Sequence, residues 1–539
     1  MTTYQVEEFS PEEESVLRHY FTNLDKPVFG LVNLPEVVKG ALFARYSRTS
    51  KSLRRLFIDE FVGELDVSGD KSVDATVGLE RAEHLYEKVF FEYGDDSVAQ
   101  LGGVHLACEQ ASNLLTKILE WGRLAAYLEQ STRYIEYDHR PNGRYLYYRD
   151  NNILNSKHGT RYIGDMDRMF DVYSSAFNTV LEHVRTTNPK AEGDSDFIYR
   201  MATKAKALDA VRGMLPASAQ SNVGIYATGQ SYEQMLLRMF ADPLPEARDY
   251  AQMMLTELRK VIPSFLKRVD LEDRGKITSK YLSDNKTNMK SLTDEVFGAP
   301  DTYDKDVAID LVDFDPDAED KMIAAMAYPY SHHSEQVLEE KVKRLSHDEK
   351  VGIIKTYVGD RQNRRHRPGR AFERSFYRFD ILSDYGAFRD MQRHRMLTID
   401  WQQLNTRHSY TKPELVDEAG VGKEFDGVMA KSSALYEDMA EDLDAEASYA
   451  VCMAYRVRYS MNLNARAAMH TIELRSVPEG HPAYRLVAQE MFRKIRDEAG
   501  HKAIAEAMSF VNMSTEADLE RLEAERRSEA KREAAAGNG

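Results

Sequence analysis

The sequence predicts an α+β protein built from two similar halves. Three pairs of segments support this, and each pair matches one segment in the first half of the chain to one in the second half. Every member shows a short alternating or apolar run followed by helical spacing, which indicates a strand that leads into a helix. A chain of 539 residues is also long enough for two to four domains.

The first pair begins near Leu31 and near Leu311. LVNLPEVVKGALFARYSRTS and LVDFDPDAEDKMIAAMAYPYSHHS each predict a short apolar strand followed by a helix. The third pair lies at 211–240 and 457–476, where VRGMLPASAQ precedes YEQMLLRMF and VRYSMNLN precedes ARAAMHTIELRS. These pairs of similar segments place related elements in the same order in both halves.

The second pair is the most regular. Residues 104–108 alternate as in a half-buried strand, and helical spacing follows at 114–119. Residues 377–381 alternate in the same way before a helix that we expect to begin near Ser383. A basic tract follows each helix: WGRLAAYLEQSTRY (121–134) and QRHRMLTIDWQQLNTRHSY (392–410).

Composition changes mark the predicted boundaries. A polar segment with turn residues and no long apolar period separates the halves, and a charged segment with a capping-box start at Thr515 ends the chain as a solvated helical extension. We therefore predict a first unit at 1–267, a linker at 268–306, a second unit at 307–513 and a charged helical tail at 514–539.

The overall composition excludes several classes of protein. Hydrophobic residues make up 42% of the chain and charged residues 30%, and no apolar run is long enough for a membrane helix. The net charge of -16 argues against a general nucleic-acid coat. The acidic N-terminus differs from a signal peptide, so we expect a cytoplasmic protein.

The two cysteines predict neither a disulfide framework nor a zinc site. Cys108 and Cys452 lie far apart in sequence, each within an apolar pattern, and we interpret both as core residues. The histidines show no metal-ligand spacing with carboxylates, so no metal site is expected. The basic run at 361–370 is too short to indicate nucleic-acid binding by itself.

Two cationic segments in the second half are candidate anion sites. Arg393, His394 and Arg395 are consecutive, and Arg407 and His408 follow. Guanidinium groups bind phosphate bidentately, and a histidine can donate a hydrogen bond to phosphate or to a flavin. The alternative is a surface cluster paired with nearby carboxylates.

The second candidate segment is NLNARAAMHTIELR (462–475). It places Asn464, Arg466, His470 and Arg475 on one predicted helix, with Arg466 and His470 four residues apart on the same face. Such a face suits an elongated anion, and a solvated helix face is the alternative.

These tracts resemble the signature of the flavin-dependent thymidylate synthases, also called thymidylate synthase complementing proteins. That signature is Arg-His-Arg, seven residues of any type and Ser, with an Arg-Tyr pair just beyond. The second half keeps Arg-His-Arg at 393–395 but has Gln403 at the serine position. The first half has lost the Arg-His pair at 121–122 but keeps the distal part, from Glu129 through Ser131 to Tyr134.

The resemblance implies one site shared by the two halves, because each half retains what the other has lost. In the first half it assigns Glu129, Ser131, Arg133 and Arg212 to the nucleotide. In the second half it assigns Arg393 and Arg475 to the nucleotide and His394, Arg395, Asn464, Arg466 and His470 to the cofactor. Arg475 and Ser131 are the implied catalytic residues. Asp390 stands where the family has glutamine, and His470 where it has asparagine.

The resemblance also implies a fold and a reaction. The fold is an antiparallel sheet flanked by helices in each half, packed as a pseudo-dimer, with two chains forming a homodimer that imitates the family's tetramer. The reaction is methylation of dUMP to dTMP with FAD, methylenetetrahydrofolate and NADPH. The alternative is a non-catalytic paralogue that keeps nucleotide or flavin binding.

Overall fold

The computed structural model describes residues 7–27, 29–46, 51–60, 62, 100–192, 194–514, 522 and 526. The described chain is α+β, with two β-sheets flanked by helices, which confirms the predicted fold class. No described helix has an apolar stretch sufficient to cross a lipid bilayer.

Before residue 300 the described chain contains three strands separated by helices. The elements are α1 (Pro11–Tyr20), α2 (Glu36–Tyr46), α3 (Leu53–Glu60), β1 (Gly103–Ser112), α4 (Asn113–Leu119), β2 (Ala125–Glu129), α5 (Asn151–Leu154), α6 (Gly159–Thr187), α7 (Asp196–Val211), β3 (Gln220–Thr228), α8 (Gly229–Phe240), α9 (Pro245–Leu258) and α10 (Gly275–Phe297).

The elements after residue 300 repeat part of this order. They are β4 (Ala308–Phe314), α11 (Ala318–Ala327), α12 (Glu335–Val342), α13 (His347–Val358), β5 (Tyr377–Asp384), α14 (Tyr385–Gln392), β6 (Thr398–Trp401), α15 (Glu414–Glu418), α16 (Gly422–Ala440), α17 (Asp444–Ala447), β7 (Arg456–Leu463), α18 (Ala465–Arg475), α19 (Pro482–Arg493) and α20 (Lys502–Ala507). Short 3-10 turns occur at Pro141–Gly143, Arg212–Met214, Pro263–Leu266, Tyr328–Tyr330, Arg370–Glu373 and Ser448–Ala450, and a π turn at Lys494–Glu498.

The chain divides into two compact units that do not follow the predicted boundaries. The smaller unit comprises residues 1–109, 124–129 and 222–299, and the larger comprises 110–123, 130–221 and 300–539. Much of the first half therefore folds together with the second half. Both units are consequently built from segments that are discontinuous in sequence.

The smaller unit contains a three-stranded sheet in the order β1-β3-β2, in which β2 and β3 pair antiparallel. Its N-terminal helices α1–α3 form their own core around Leu17, Leu56 and Phe57, which are almost fully buried. Ser10 and Glu13 make a reciprocal capping box that fixes the start of α1.

The larger unit contains a four-stranded antiparallel sheet in the order β4-β5-β7-β6. β5 and β7 pair over their full lengths, from Tyr377 opposite Leu463 to Asp384 opposite Arg456. Most of β5 is buried because this central strand is covered on both faces.

Segments from the two halves interlock inside the larger unit. The backbone N–H groups of Ala217 and Met453 donate to the carbonyls of Val451 and Leu215 at 2.8 and 2.9 Å. The Tyr385 hydroxyl at the start of α14 donates to the Asn113 carbonyl at the start of α4 at 2.9 Å. The repeated elements therefore meet each other directly.

Several local predictions are confirmed. Residues 104–108 lie in β1 and 377–381 lie in β5, and each strand leads into a helix as expected. The second helix begins at Tyr385, two residues after Ser383, because the Asp384 side chain caps it.

Two local expectations differ from the structure. Leu31 makes only an isolated bridge to Phe21 and is not in a strand. The predicted linker contains α10, a helix of 23 residues whose side chains are almost all exposed. Of the predicted tail, only Ser514, Leu522 and Arg526 are among the described residues.

The described tail residues are not simply solvated. Leu522 is buried against Ile198 and Ala202, and Arg526 makes a two-point ion pair with Asp194. An apolar anchor of this kind was not apparent from the charged composition of the segment.

We predict that Glu473→Gln strongly destabilises the larger unit. Glu473 and Arg361 form an ion pair through two hydrogen bonds of 2.6 and 2.7 Å, and both side chains are at most 3% exposed. Removing one charge leaves the other buried and unpaired, which costs about 3–5 kcal/mol. Denaturant unfolding should show this loss. Glu498→Gln is the control, because Glu498 is exposed where it pairs with Lys494, and it should cost less than about 1 kcal/mol. Equal losses in the two variants would contradict the assignment.

Candidate functional site

Two strand–helix pairs of the larger unit carry the candidate site. Asp384 caps α14 by accepting the N–H of Ala387 at 2.8 Å, and Asn464 caps α18 by accepting the N–H of Ala467 at 2.8 Å. These caps fix where each helix begins after β5 and β7. Side chains from the C-terminal ends of the two helices then meet.

Asp390, on α14, is the centre of the resulting charge cluster. Its carboxylate lies 3.4 Å from Nη1 of Arg475, 3.5 Å from Nη2 of Arg393 and 3.8 Å from Nη1 of Arg212. Burial would raise the pKa of Asp390, but the nearby Arg393, Arg475 and Arg212 outweigh it and hold this pKa well below its usual range. Asp390 is therefore ionised.

His394 is a neutral member of the same cluster. Nε of Arg475 donates to Nε2 of His394 at 2.9 Å, so Nε2 accepts and the ring proton lies on Nδ1. Burial, Arg475 and His470 lower the pKa of His394 well below its ordinary value. The imidazole can thus donate from Nδ1 without adding charge.

Arg133, from the first half, is held by partners from both halves. Its Nε and Nη2 donate to the two carboxylate oxygens of Asp209, each at 2.7 Å. Its Nη1 donates to the Tyr484 hydroxyl at 2.8 Å, and Nη2 also donates to the Glu479 carbonyl at 3.1 Å. The Ser131 hydroxyl accepts the backbone N–H of Arg133 at 3.2 Å.

Arg212 is the most deeply buried guanidinium of the cluster. Only 3% of the residue is exposed, and Nη2 has no hydrogen-bond partner among the described residues. Burial lowers its pKa, whereas Asp209 and Asp390 oppose that shift. A buried donor without a partner costs free energy, so this group is suited to an incoming acceptor.

A second cationic region surrounds His470 on α18. Nε2 of His470 lies 3.4 Å from Nη2 of Arg367, and Nε of Arg466 donates to the Pro368 carbonyl at 2.9 Å. Burial and the guanidinium groups of Arg367, Arg475, Arg364 and Arg466 lower the pKa of His470 to about 4. The basic run at 361–370 therefore packs against the helix that carries the predicted cofactor residues.

The structure brings together most of the predicted site residues. Arg133, Arg212, Arg393, His394 and Arg475 join one cluster, with Ser131 beside Arg133.

The other predicted residues occupy different positions. Glu129 is buried at the end of β2 in the smaller unit, and Arg395 is exposed. Arg407 and His408 contact Tyr303 and the Asp304 carbonyl instead.

A cavity of about 530 Å³ lies beside the Arg133–Asp209 pair. Its walls come from α7, α15 and the start of α19, and they include small or apolar side chains at Ala205 and Leu415. A cavity of this size and character is typical of small-molecule sites.

Residues 41–264 and 310–500 match the family described as thymidylate synthase complementing protein. The chain belongs to this family. The two matched segments correspond to the two halves, which confirms the predicted duplication of the family's unit.

Several relatives align over nearly their whole length. A UPF0159 protein of Chlamydia muridarum (strain MoPn / Nigg) is 36% identical over 527 residues, covering 97% of this chain and 99% of that protein. The UPF0159 protein Ta1429 of Thermoplasma acidophilum is 29% identical over 520 residues, covering 92% and 99%.

Among solved structures, the UMP/dUMP methylase PolB of Streptomyces cacaoi bound with 5-Br dUMP matches with a TM-score of 0.30 and 16% identity. That match covers 40% of this chain and 100% of that chain. A similarity at this level carries no weight for fold or function.

In this member of the thymidylate synthase complementing family, Asp209, His481 and Tyr484 were not predicted from the sequence. Asp209 lies one helical turn before Arg212, a spacing that predicts a local ion pair, but its strongest partner is Arg133. His481 and Tyr484 follow α18 in a segment without a recognisable motif. Their partners Asp209 and Arg133 lie far away in sequence, so no local pattern identifies them.

Both cysteines are buried, as the sequence predicts. Burial raises the pKa of each thiol to about 12. Cys452 also lies 3.2 Å from the carbonyl of Met214, to which its thiol can donate.

We predict that neither thiol reacts quickly in the native protein, because each is buried and protonated at neutral pH. Titration with a chromogenic disulfide reagent at pH 7.5 should give almost no fast reaction, and two thiols should react after denaturation. Cys108→Ala and Cys452→Ala should both keep any activity of the parent protein. A fast stoichiometric reaction without unfolding would contradict this assignment.

Proposed function

We propose that this protein methylates dUMP to dTMP by flavin-dependent chemistry, at a site to which both halves contribute. The observation that supports this most directly is the buried cluster in which Arg133 and Arg212 of the first half meet Asp390 and Arg475 of the second. A single shared site requires this arrangement, in which each half contributes the motif residues that the other half lacks.

The cluster has the charge to bind a nucleotide phosphate. Four guanidinium groups, from Arg133, Arg212, Arg393 and Arg475, surround two carboxylates, from Asp209 and Asp390. Both carboxylates have lowered pKa values although burial opposes this, because the arginines stabilise the ionised forms. The cluster still carries excess positive charge, and guanidinium groups bind phosphate through paired hydrogen bonds. Asp390 does not prevent anion binding, because it is already paired.

In this proposal Arg475 and Ser131 contact the substrate during the reaction. Arg475 is oriented by His394 and Asp390, so a donor is held ready for negative charge that develops on the pyrimidine. Ser131 presents a hydroxyl beside Arg133. The family pattern also assigns Glu129, at the end of β2, to the nucleotide.

The region around His470 has the chemistry to hold FAD. Four arginines close enough to lower the pKa of His470 concentrate positive charge there, which favours a pyrophosphate. We assign Arg395, Asn464, Arg466 and His470 to this cofactor, with Nδ1–H of His394 available to donate to it.

When bound, FAD would supply hydride transfer, which no side chain can perform. The chain would bind and orient the reactants and would exclude water from around them. Methylenetetrahydrofolate would donate the carbon unit and NADPH the reducing equivalents, yielding dTMP, tetrahydrofolate and NADP⁺.

A non-catalytic nucleotide-binding paralogue is the second candidate, and one observation favours it. Asp209 already accepts two hydrogen bonds from Arg133, which are the hydrogen bonds that a bound phosphate would accept. A paralogue would bind dUMP or flavin but would release no dTMP when supplied with FAD, methylenetetrahydrofolate and NADPH. Measuring dTMP formation distinguishes the two candidates.

We predict that Arg212→Ala and Arg475→Ala each weaken dUMP binding by about tenfold to a hundredfold, because each removes a charge-assisted contact worth about 1.5–3 kcal/mol. Isothermal titration calorimetry on the full chain measures this. Arg407→Ala is the control, since Arg407 contacts Tyr303 outside the cluster, and it should leave the affinity unchanged. Wild-type affinity in both test variants would refute the shared site.

We predict about one FAD per chain. The assigned cofactor residues occur once, in the second half, and the corresponding first-half segments contain Gly122 and residues 229–233, which lack the Asn-x-Arg pattern. A pyrophosphate buried without cations is strongly disfavoured. Flavin release after denaturation, following reconstitution in excess FAD, measures the ratio. Two per chain would contradict a single shared site, and none would favour the paralogue.

A further inference from the structure

Tyr484 lies between the arginines that the two halves contribute. It is the third residue of α19 and is 4% exposed. Its hydroxyl accepts from Nη1 of Arg133 at 2.8 Å, and its ring centroid lies 5.4 Å from Cζ of Arg475 and 5.7 Å from Cζ of Arg133. One side chain therefore contacts both guanidinium groups.

The start of α19 is anchored, so Tyr484 has a fixed position. His481 caps the helix through Nδ1, which accepts the N–H of Ala483 at 3.2 Å. Burial lowers the pKa of His481 to about 3, so its ring is neutral and Nε2–H can donate to the Asp209 carbonyl 3.1 Å away. The helix start is thus tied to α7, whose Asp209 side chain holds Arg133.

The two contacts of Tyr484 differ in kind and act on different arginines. The hydroxyl oxygen gives Arg133 a directional acceptor, whereas the ring offers Arg475 an attractive aromatic face without a competing negative charge. Both interactions leave the guanidinium charges unneutralised. This differs from Asp209 and Asp390, which orient arginines but also reduce the positive charge.

We propose that Tyr484 is a positioning residue that sets the relative orientation of Arg133 and Arg475 and thereby controls affinity for the nucleotide phosphate. This inference rests on the proposed nucleotide site. Tyr484 acts through the two arginines and is not itself a catalytic residue.

The test is calorimetric titration of the FAD-loaded full chain with dUMP and, separately, with deoxyuridine. Tyr484→Phe keeps the ring but removes the acceptor for Arg133, and we expect dUMP binding about tenfold weaker with deoxyuridine binding unchanged. Tyr484→Leu also removes the ring and should weaken dUMP binding further. In steady-state kinetics Tyr484→Phe should raise KM for dUMP more than it lowers kcat.

Tyr377→Phe is the matched control. Tyr377 is equally buried, but its hydroxyl bonds Nδ1 of His501 at 2.8 Å rather than an arginine. It should bind dUMP as the wild type does. A purely structural role for Tyr484 would instead weaken dUMP and deoxyuridine equally, which would overturn the proposal.

A double-mutant cycle isolates the route through Arg133. In an Arg133→Ala background the Tyr484 hydroxyl has lost its partner, so adding Tyr484→Phe should change dUMP affinity by less than about twofold. A full additional loss would overturn the proposal. If the wild-type chain binds no dUMP, the proposed function itself fails. If the wild-type chain binds dUMP and Tyr484→Phe binds it equally tightly, only the inference about Tyr484 is refuted.

Discussion

The buried carboxylate of Asp390 is the constraint on which the rest of the larger unit depends. An ionised carboxylate away from water is costly unless cations surround it, and three arginines do so here. The dependence is mutual, because guanidinium groups brought this close would repel one another without a shared anion. Arg212 comes from the first half and Arg475 from the second. Separating the halves would therefore leave buried charges of both signs without partners.

This constraint accounts for the way in which the chain divides. The first half does not fold as a self-contained copy, since residues 110–123 and 130–221 belong to the larger unit. Backbone hydrogen bonds join 213–218 to 449–454, and α4 meets α14. A duplicated sequence whose copies interlock can lose different parts of a motif in each copy, because one complete set is still assembled. The retained motif parts at 129–134 and 393–395 are complementary in this sense.

Local patterns predicted the elements well and the long-range contacts poorly. Alternation at 104–108 and 377–381 identified β1 and β5, since burial of one strand face imposes a period of two. The cluster members Arg133 and Arg212 were accessible only through the family's motif, whereas Arg475 also lay on a predicted cationic helix. Asp209 and Tyr484 were missed because they lie 76 and 351 residues from Arg133, and periodicity contains no information about such pairs. The helix α10 was missed because almost all of its side chains are exposed. Its sequence therefore has no long apolar period, and its polar composition resembles that of a linker.

The cluster's charge also determines what its histidines can do. Burial and neighbouring guanidinium groups hold the pKa of His394 far below its ordinary value, and the pKa values of His470 and His481 lie at about 4 and 3. All three rings are therefore neutral at pH 7–8. They can orient a ligand by donating hydrogen bonds, as His394 can from Nδ1, but they add no positive charge. Attraction for an anion then comes from the arginines alone, which stay protonated throughout this range. Near pH 6 the second ionisation of the phosphate itself, with a pKa of about 6, changes the negative charge that the arginines attract.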